Sequence, residues 1–160
     1  MTKKISLTHG KCAVVDDGDY ERLNQFKWWV NSNGYALRTV WDHGRSYHIR
    51  MHREIIHIPE GLITDHINGD KLDNRKENLR TCNKSENAAN SKKFTTNKSG
   101  LRGVSWFSGY SIKKWRAVIT VNTRQIHLGL FSTREDAATA YENAAKKYFG
   151  EYVREKANES

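Results

Sequence analysis

Residues 62–90 read LITDHINGDKLDNRKENLRTCNKSENAAN. An Asp-His pair, Asp65-His66, is followed by asparagines at 68, 74, 78, 83, 87 and 90. Asparagine is common in solvated loops, so a plain connection is the default reading. The flanks suggest more order than that. LITDHI and NLRTCN each have the length and β-branched content of a short strand, and Asn68-Gly69 is a turn signal between them. NKSENAANSKK then has helical composition from about Asn83. The expected order is strand, loop, strand, helix.

That order has chemical consequences. The end of the first strand and the face of the helix can converge on one cation. Asp65 supplies a carboxylate and Asn87 an amide oxygen, hard donors that suit Mg²⁺ or Mn²⁺ better than zinc. Adjacent strand side chains alternate, so His66 points to the other side from Asp65 and is able to work on a water. An EF-hand calcium loop needs oxygen ligands at its first, third and fifth positions and glycine at the sixth. Starting at Asp65 those positions meet Ile67 and Gly69, and starting at Asp70 the third is Leu72, so that reading fails. A zinc site lacks its Cys and His partners here.

Charge points to the partner. The chain of 160 residues carries 27 Lys+Arg against 18 Asp+Glu, a formal +9, with a pI of about 9.6. Such a balance favours a polyanion, and nucleic acid is the stronger choice because no apolar run reaches the roughly 20 residues of a membrane span. No signal-peptide pattern opens the sequence. Cys12 and Cys82 stand far apart without metal spacing, as expected of a reducing compartment. From Lys71 to Arg102 there are nine Lys/Arg and three Asp/Glu. An excess of that size beside a suspected site is what phosphate contact requires, making Arg75, Lys76, Arg80, Lys92 and Lys93 candidates to hold DNA. The run SKKFTTNKSG, 91–100, contains no acid and reads as a linker.

Upstream, residues 5–58 read as short strands with one possible helix, and Asp16–Asp19 as a turn cluster. Trp28, Trp29 and Trp41 are expected in core or sheet-face packing. His48, His52 and His57 match no metal spacing and read as structural. Downstream, RGVSWF, KKWRAVITV and RQIHLGLF are three strand-like segments. Trp115, Ala117, Ile119 and Val121 share one face; Lys114, Arg116, Val118 and Thr120 share the other. STREDAATAYENAAKKYFG then changes to helical period. Ser132 and Glu135 form the expected capping box, Ala137, Tyr141, Ala144 and Tyr148 the sheet-facing stripe, and Gly150 the stop.

With MHREII (51–56) and DHINGDKLDNRKENLR (65–80) in view, the segment 51–91 resembles the HNH endonuclease motif in its phage and intron-encoded homing variant. The resemblance implies a ββα-metal core. In it Asp65 is the first ligand of a divalent metal, Mg²⁺ or Mn²⁺, and His66 the general base. Asn78 is the asparagine that holds the catalytic loop, and Asn87, where many relatives have histidine, is the second ligand. Asn74 and Asn90 are possible supports. With an ordinary pKa of about 6.5, His66 can take a proton from water at neutral pH.

Residues 101–153 resemble the Apetala/ethylene-response-factor DNA-binding domain, which implies a sheet that enters the major groove. Matching positions are Arg102, Ser105, Trp106, Arg116, Val118, Thr120, Gln125 and His127, with Lys113, Lys114 and Arg124 available for phosphate or guanine. Several arginines of the plant domain are replaced here, so its target sequence does not transfer.

The expected fold class is α+β. A β-rich scaffold (1–50) precedes the nuclease core (51–91), a basic linker (92–100), the three-stranded antiparallel sheet packed on one helix (101–153) and a tail (154–160). The expected activity is metal-dependent hydrolysis of phosphodiester bonds in double-stranded DNA. It would be carried out by a monomer in the cytoplasm of a bacterial or phage-infected cell, with no membrane or small-molecule partner. The alternative is a sequence-specific DNA-binding regulator that keeps the nuclease fold without its chemistry.

Overall fold

A computed structural model of the chain describes residues 1–91 and 98–153. Lys92, Lys93, most of the linker at 92–100 and the tail at 154–160 lie outside the described residues. The chain divides into two compact units, Met1–Asn83 and Lys84–Ser160.

The first unit is built from short antiparallel pieces. Strands β1 (Thr2–Ser6) and β2 (Cys12–Asp16) form a hairpin that leads into helix α1 (Asp17–Asn24). The aspartates expected as a turn therefore open a helix, where Asp17 and Asp19 complement the positive end of its dipole. Strands β3 (Trp29–Val30), β4 (Ala36–Asp42) and β5 (Arg45–Arg50) make a sheet in that order. Helix α2 (Met51–Ile55) follows directly, and β6 (Ile63–His66) pairs with β7 (Leu79–Cys82). One apolar core of Ile5, Leu7, Ala13, Val15, Leu23, Trp28, Ala36 and Met51 joins the β1–β2 hairpin, α1, β4 and α2. Position 50/51 is accordingly no boundary between compact units, since Met51 is buried among residues of the N-terminal hairpin. Trp28 is core, with its indole N–H on the Leu23 carbonyl at 2.8 Å, whereas Trp41 is 73% exposed on the β4–β5 hairpin, against the expectation for it.

Strand β2 also does something its sequence does not announce. Its outer edge takes up the β6–β7 loop: Val14 N–H donates to Leu72 O at 2.8 Å and Asn74 N–H to Val14 O at 2.7 Å. The Asp16 carboxylate accepts the Lys76 N–H at 2.8 Å. A long loop would otherwise leave these backbone groups to solvent; here they are satisfied as in a sheet.

The second unit begins with helix α3 (Lys84–Asn90), which sequence reasoning grouped with the nuclease core. Strands β8 (Val104–Trp106), β9 (Trp115–Val121) and β10 (Arg124–Phe131) form an antiparallel sheet with β9 central. Asn122 and Thr123 both have positive φ, 46° and 69°, so the β9–β10 turn has the twist a two-residue hairpin favours. Helix α4 (Arg134–Phe149) covers one face. Its N-cap is Thr133, which accepts the Asp136 N–H at 3.1 Å, one residue beyond the expected Ser132–Glu135 pair. Its buried residues are Ala137, Ala144, Ala145 and Phe149; Tyr148 is exposed, so Phe149 takes the place expected of it. Gly103 has φ +67°, and a Cβ there would lie 2.1 Å from the Tyr141 ring, which is why glycine stands where sheet and helix come closest.

Candidate active site

Asp65 and His66 end β6, both buried at 5% and 4% exposure. Their environments differ as strand alternation requires. Asp65 is paired in register with Arg80 of β7, and its Oδ2 accepts Arg80 Nε at 3.0 Å and Nη2 at 2.9 Å. His66 belongs instead to a group of rings. His52 of α2 meets it edge-on at 5.2 Å between centroids, and Tyr35 lies 5.4 Å from His52 and 6.0 Å from His66.

The loop between the strands is held by its asparagines. Asn78 Nδ2 donates to Asp73 O at 2.7 Å while its Oδ1 accepts the Asn68 N–H at 3.0 Å, so one amide closes the loop from both sides. Asn68 Nδ2 donates to Asp73 Oδ2 at 2.9 Å. Gly69, at φ 72°, makes the turn that lets its N–H reach His66 O at 2.8 Å. Asn74 is 1% exposed, and its Oδ1 lies 3.3 Å from His66 Nε2. Its Nδ2 donates to Leu72 O at 3.2 Å, which fixes the amide orientation. An amide oxygen only accepts, so this contact is a hydrogen bond when Nε2 carries the imidazole proton.

Desolvation works against a positive charge on that imidazole. Burial pushes His66 below its ordinary pKa of 6.5, against the opposing pull of Asn74, Asp65, Asp70 and Asp73. His52 is pushed further, to about 3, by burial first and then by His66, Arg50 and Arg53. Asp73 is held low by the Arg75 guanidinium beside it. His52 and Tyr35 are the residues sequence reasoning missed. Their spacing matches no motif, and only the packing of α2 and the β3–β4 turn against β6 brings them under His66.

The basic residues expected on DNA are placed less uniformly. Arg80 is occupied by Asp65, as above. Arg75 binds Asp73, with Nε to Oδ1 at 2.8 Å and Nη2 to Oδ2 at 2.7 Å, and also pairs with Glu77. Lys76 reaches Asp19 at 3.0 Å. These three are engaged in ion pairs within the first unit.

In the second unit Asn87 sits half-buried on α3, with its carbonyl accepting the Ser91 N–H at 3.2 Å. Arg102 does not face outward from the sheet: its Nη1 donates to Ala88 O and Ala89 O, both at 2.7 Å, and its Nη2 to Ser91 O, capping the carbonyl end of α3. Trp106 follows Ser105 and so shares the face of Val104 and Ala117, against Trp115 at 5.2 Å, although it remains 59% exposed at the rim. By register Ser105, Arg116, Val118, Thr120, Gln125 and His127 share the sheet face opposite the helix. Arg116 Nε donates across it to Ser105 Oγ at 3.3 Å. Lys113 is exposed, Lys114 donates to Gly109 O at 2.8 Å, and Arg124 opens β10 on the other face.

Among the described residues no group of three or more His, Cys, Asp and Glu could hold a metal ion. The carboxylate-plus-amide set read from the sequence is a different donor type. Cys12 and Cys82 are both thiols, and no described helix is long and apolar enough to cross a membrane.

Comparison with known proteins places similar sequences beside this chain. The sequence profile described as HNH endonuclease matches residues 57–89, from before β6 into α3. An uncharacterized HNH endonuclease of Acanthamoeba polyphaga mimivirus is 28% identical over 150 residues, covering 90% of this chain and 74% of its own length. Protein 3.8 of Escherichia phage T7 is 32% identical over 97 residues, 61% of this chain and 78% of that protein. An ethylene-responsive transcription factor-like protein of Arabidopsis thaliana is 53% identical over 36 residues, 22% of this chain and 16% of that one. Among solved structures, that of the HNH homing endonuclease I-HmuI, described as binding and cleaving DNA, aligns at 25% identity. Its TM-score is 0.36, over 54% of this chain and 45% of its own. Over residues 57–89 the chain is thus similar to the HNH endonuclease family.

Proposed function

We propose that the chain is a metal-dependent DNA endonuclease of the homing type that hydrolyses phosphodiester bonds in duplex DNA. His66 is the general base, and the observation that carries the reading is its fixed, neutral imidazole. Asn74 Oδ1 stands 3.3 Å from Nε2 and orients the ring, and burial lowers its basicity, so the imidazole is neutral and competent to accept a proton at neutral pH. As the proton of the attacking water passes to the imidazole, its oxygen bonds to phosphorus in line with the departing 3′ oxygen. Asn78 is the positioning residue that keeps the loop closed around this geometry.

Asp65 and Asn87 are the residues that would hold a divalent cation. A carboxylate and an amide oxygen fit Mg²⁺ or Mn²⁺ by donor type, and Asp65 is a buried carboxylate whose Oδ2 accepts from Arg80. The cation supplies electrostatic stabilisation of charge on the phosphate and the leaving oxygen. Target reading belongs to the exposed sheet face of Ser105, Arg116, Thr120, Gln125 and His127, in the manner of an ethylene-response-factor-like domain. Lys113 and Arg124 lie at its margins. The enzyme would act as a monomer in the cytoplasm of a bacterial or phage-infected cell.

The test is cleavage of supercoiled plasmid with Mg²⁺ or Mn²⁺, comparing wild type with His66→Ala. Metal-dependent cutting by wild type and its loss in a variant that still binds DNA is the expected result. Binding without cutting by wild type under either metal would replace the nuclease by the DNA-binding regulator.

A further inference from the structure

Near His66, Arg75, Lys76 and Arg80 are turned onto Asp73 and Glu77, Asp19, and Asp65. Two other cations stand beside the ring cluster. Arg50 ends β5, and its Cζ lies 5.2 Å from the centroid of the Tyr35 ring. Lys71 belongs to the β6–β7 loop, and its Nζ lies 4.6 Å from the same centroid. Neither takes part in an ion pair among the described residues. Asp70, the acid next to Lys71, turns its Oδ1 onto the Leu72 N–H at 2.9 Å. We propose that Arg50 and Lys71, gathered on Tyr35 one ring away from His66, are the clamp that holds the DNA phosphates beside the scissile bond. This rests on the nuclease reading above and names the residues that seat its substrate.

The arrangement is preorganised. Tyr35 is fixed by its backbone N–H on Asn31 Oδ1 at 2.9 Å and by His52 and His66 at its edges. Lys71 Nζ donates to Asn33 O at 2.8 Å, and its stem runs past Gly34, where an added Cβ would sit 3.7 Å from Cδ. A lysine held at one end of its rotamer range loses less freedom when a phosphate arrives. Arg50 is close enough to His52 to contribute to its lowered basicity, an independent sign that its charge lies over the cluster. The two cations come from segments far apart in sequence, and Tyr35 is the surface on which they meet.

The experiment is salt-dependent binding of a fluorescently labelled duplex oligonucleotide in EDTA, between about 50 and 200 mM salt. Arg50→Gln with Lys71→Gln removes both charges and keeps both stems; Lys4→Gln with Lys11→Gln, both exposed on the β1–β2 hairpin, is the charge-matched control. Each phosphate contact contributes about 0.9 to the slope of log K against log salt. The double variant should therefore lose about 1.8 of slope. The control should lose none, and single-turnover cleavage with Mg²⁺ should fall in the double variant. Arg50→Lys with Lys71→Arg keeps the charges and should restore the slope. A wild-type slope in the double variant that still binds and cuts DNA would overturn the clamp and leave the nuclease reading standing. An equal loss in the charge-keeping pair would overturn it too, assigning the effect to packing on Tyr35. A wild type that binds no duplex would overturn both.

Discussion

Lowering the pH should destabilise the first unit before its carboxylates titrate, because of His52. Its imidazole is 4% exposed and its folded pKa is about 3, against an ordinary 6.5 in the unfolded chain. A depressed folded pKa means that below 6.5 the unfolded state binds a proton the folded state does not. Stability is complete above that value and is lost as pH falls toward the folded pKa. Each pH unit in that window costs about 1.4 kcal/mol per histidine, so at pH 4.5 His52 alone removes about 2–3 kcal/mol. His66, lowered in the same direction, adds to the loss. Against a typical stability of about 5–15 kcal/mol this is a large fraction. The assay is urea unfolding at pH 6.5 and 4.5 followed by tryptophan fluorescence, since Trp28 lies in the core of this unit. His52→Phe keeps a ring against Tyr35 and His66 but cannot titrate, so its pH dependence should be shallower by one proton. Equal pH dependence in wild type and His52→Phe would refute the reasoning.

Two further substitutions separate structural from DNA-contacting roles. Asn78→Ala removes the partner of both Asp73 O and Asn68 N–H and should cost about 2–4 kcal/mol of stability together with cleavage; a thermal unfolding curve within about 0.5 kcal/mol of wild type would show that the loop closes without it. Arg102→Ala should leave the salt slope of DNA binding unchanged but speed hydrogen exchange across α3. That seven-residue helix is too short to persist on its own propensity and loses the guanidinium on its last carbonyls. A slope reduced by about 0.9 with unchanged exchange would return Arg102 to the DNA-contacting set.

Much of the architecture was legible because it rests on local chemistry. Asn68-Gly69 and Asn122-Thr123 are turns by virtue of backbone preferences near those residues, and the alternation of Trp115, Ala117, Ile119 and Val121 announces a sheet with one covered face. Small errors followed where neighbouring residues offer equal local options. Ser132 and Thr133 are both competent caps, and Tyr148 and Phe149 both suit the helix stripe; packing of α4 on the sheet selected the second in each case.

Long-range partnership was another matter. The sequence by itself determined the Asp65-His66 pair, the asparagine frame and the order of strand, loop, strand and helix, since each is written in spacing. Only the tertiary structure decided which charges are engaged and which rings meet. Lys76 finds Asp19, Lys71 finds Asn33, Arg102 finds Ala88 and Ala89, and His52 and Tyr35 come to lie under His66. A long side chain carries the same charge whether it faces a phosphate or a carboxylate of its own fold, so its role is set by proximity in space, which no pattern along the chain encodes.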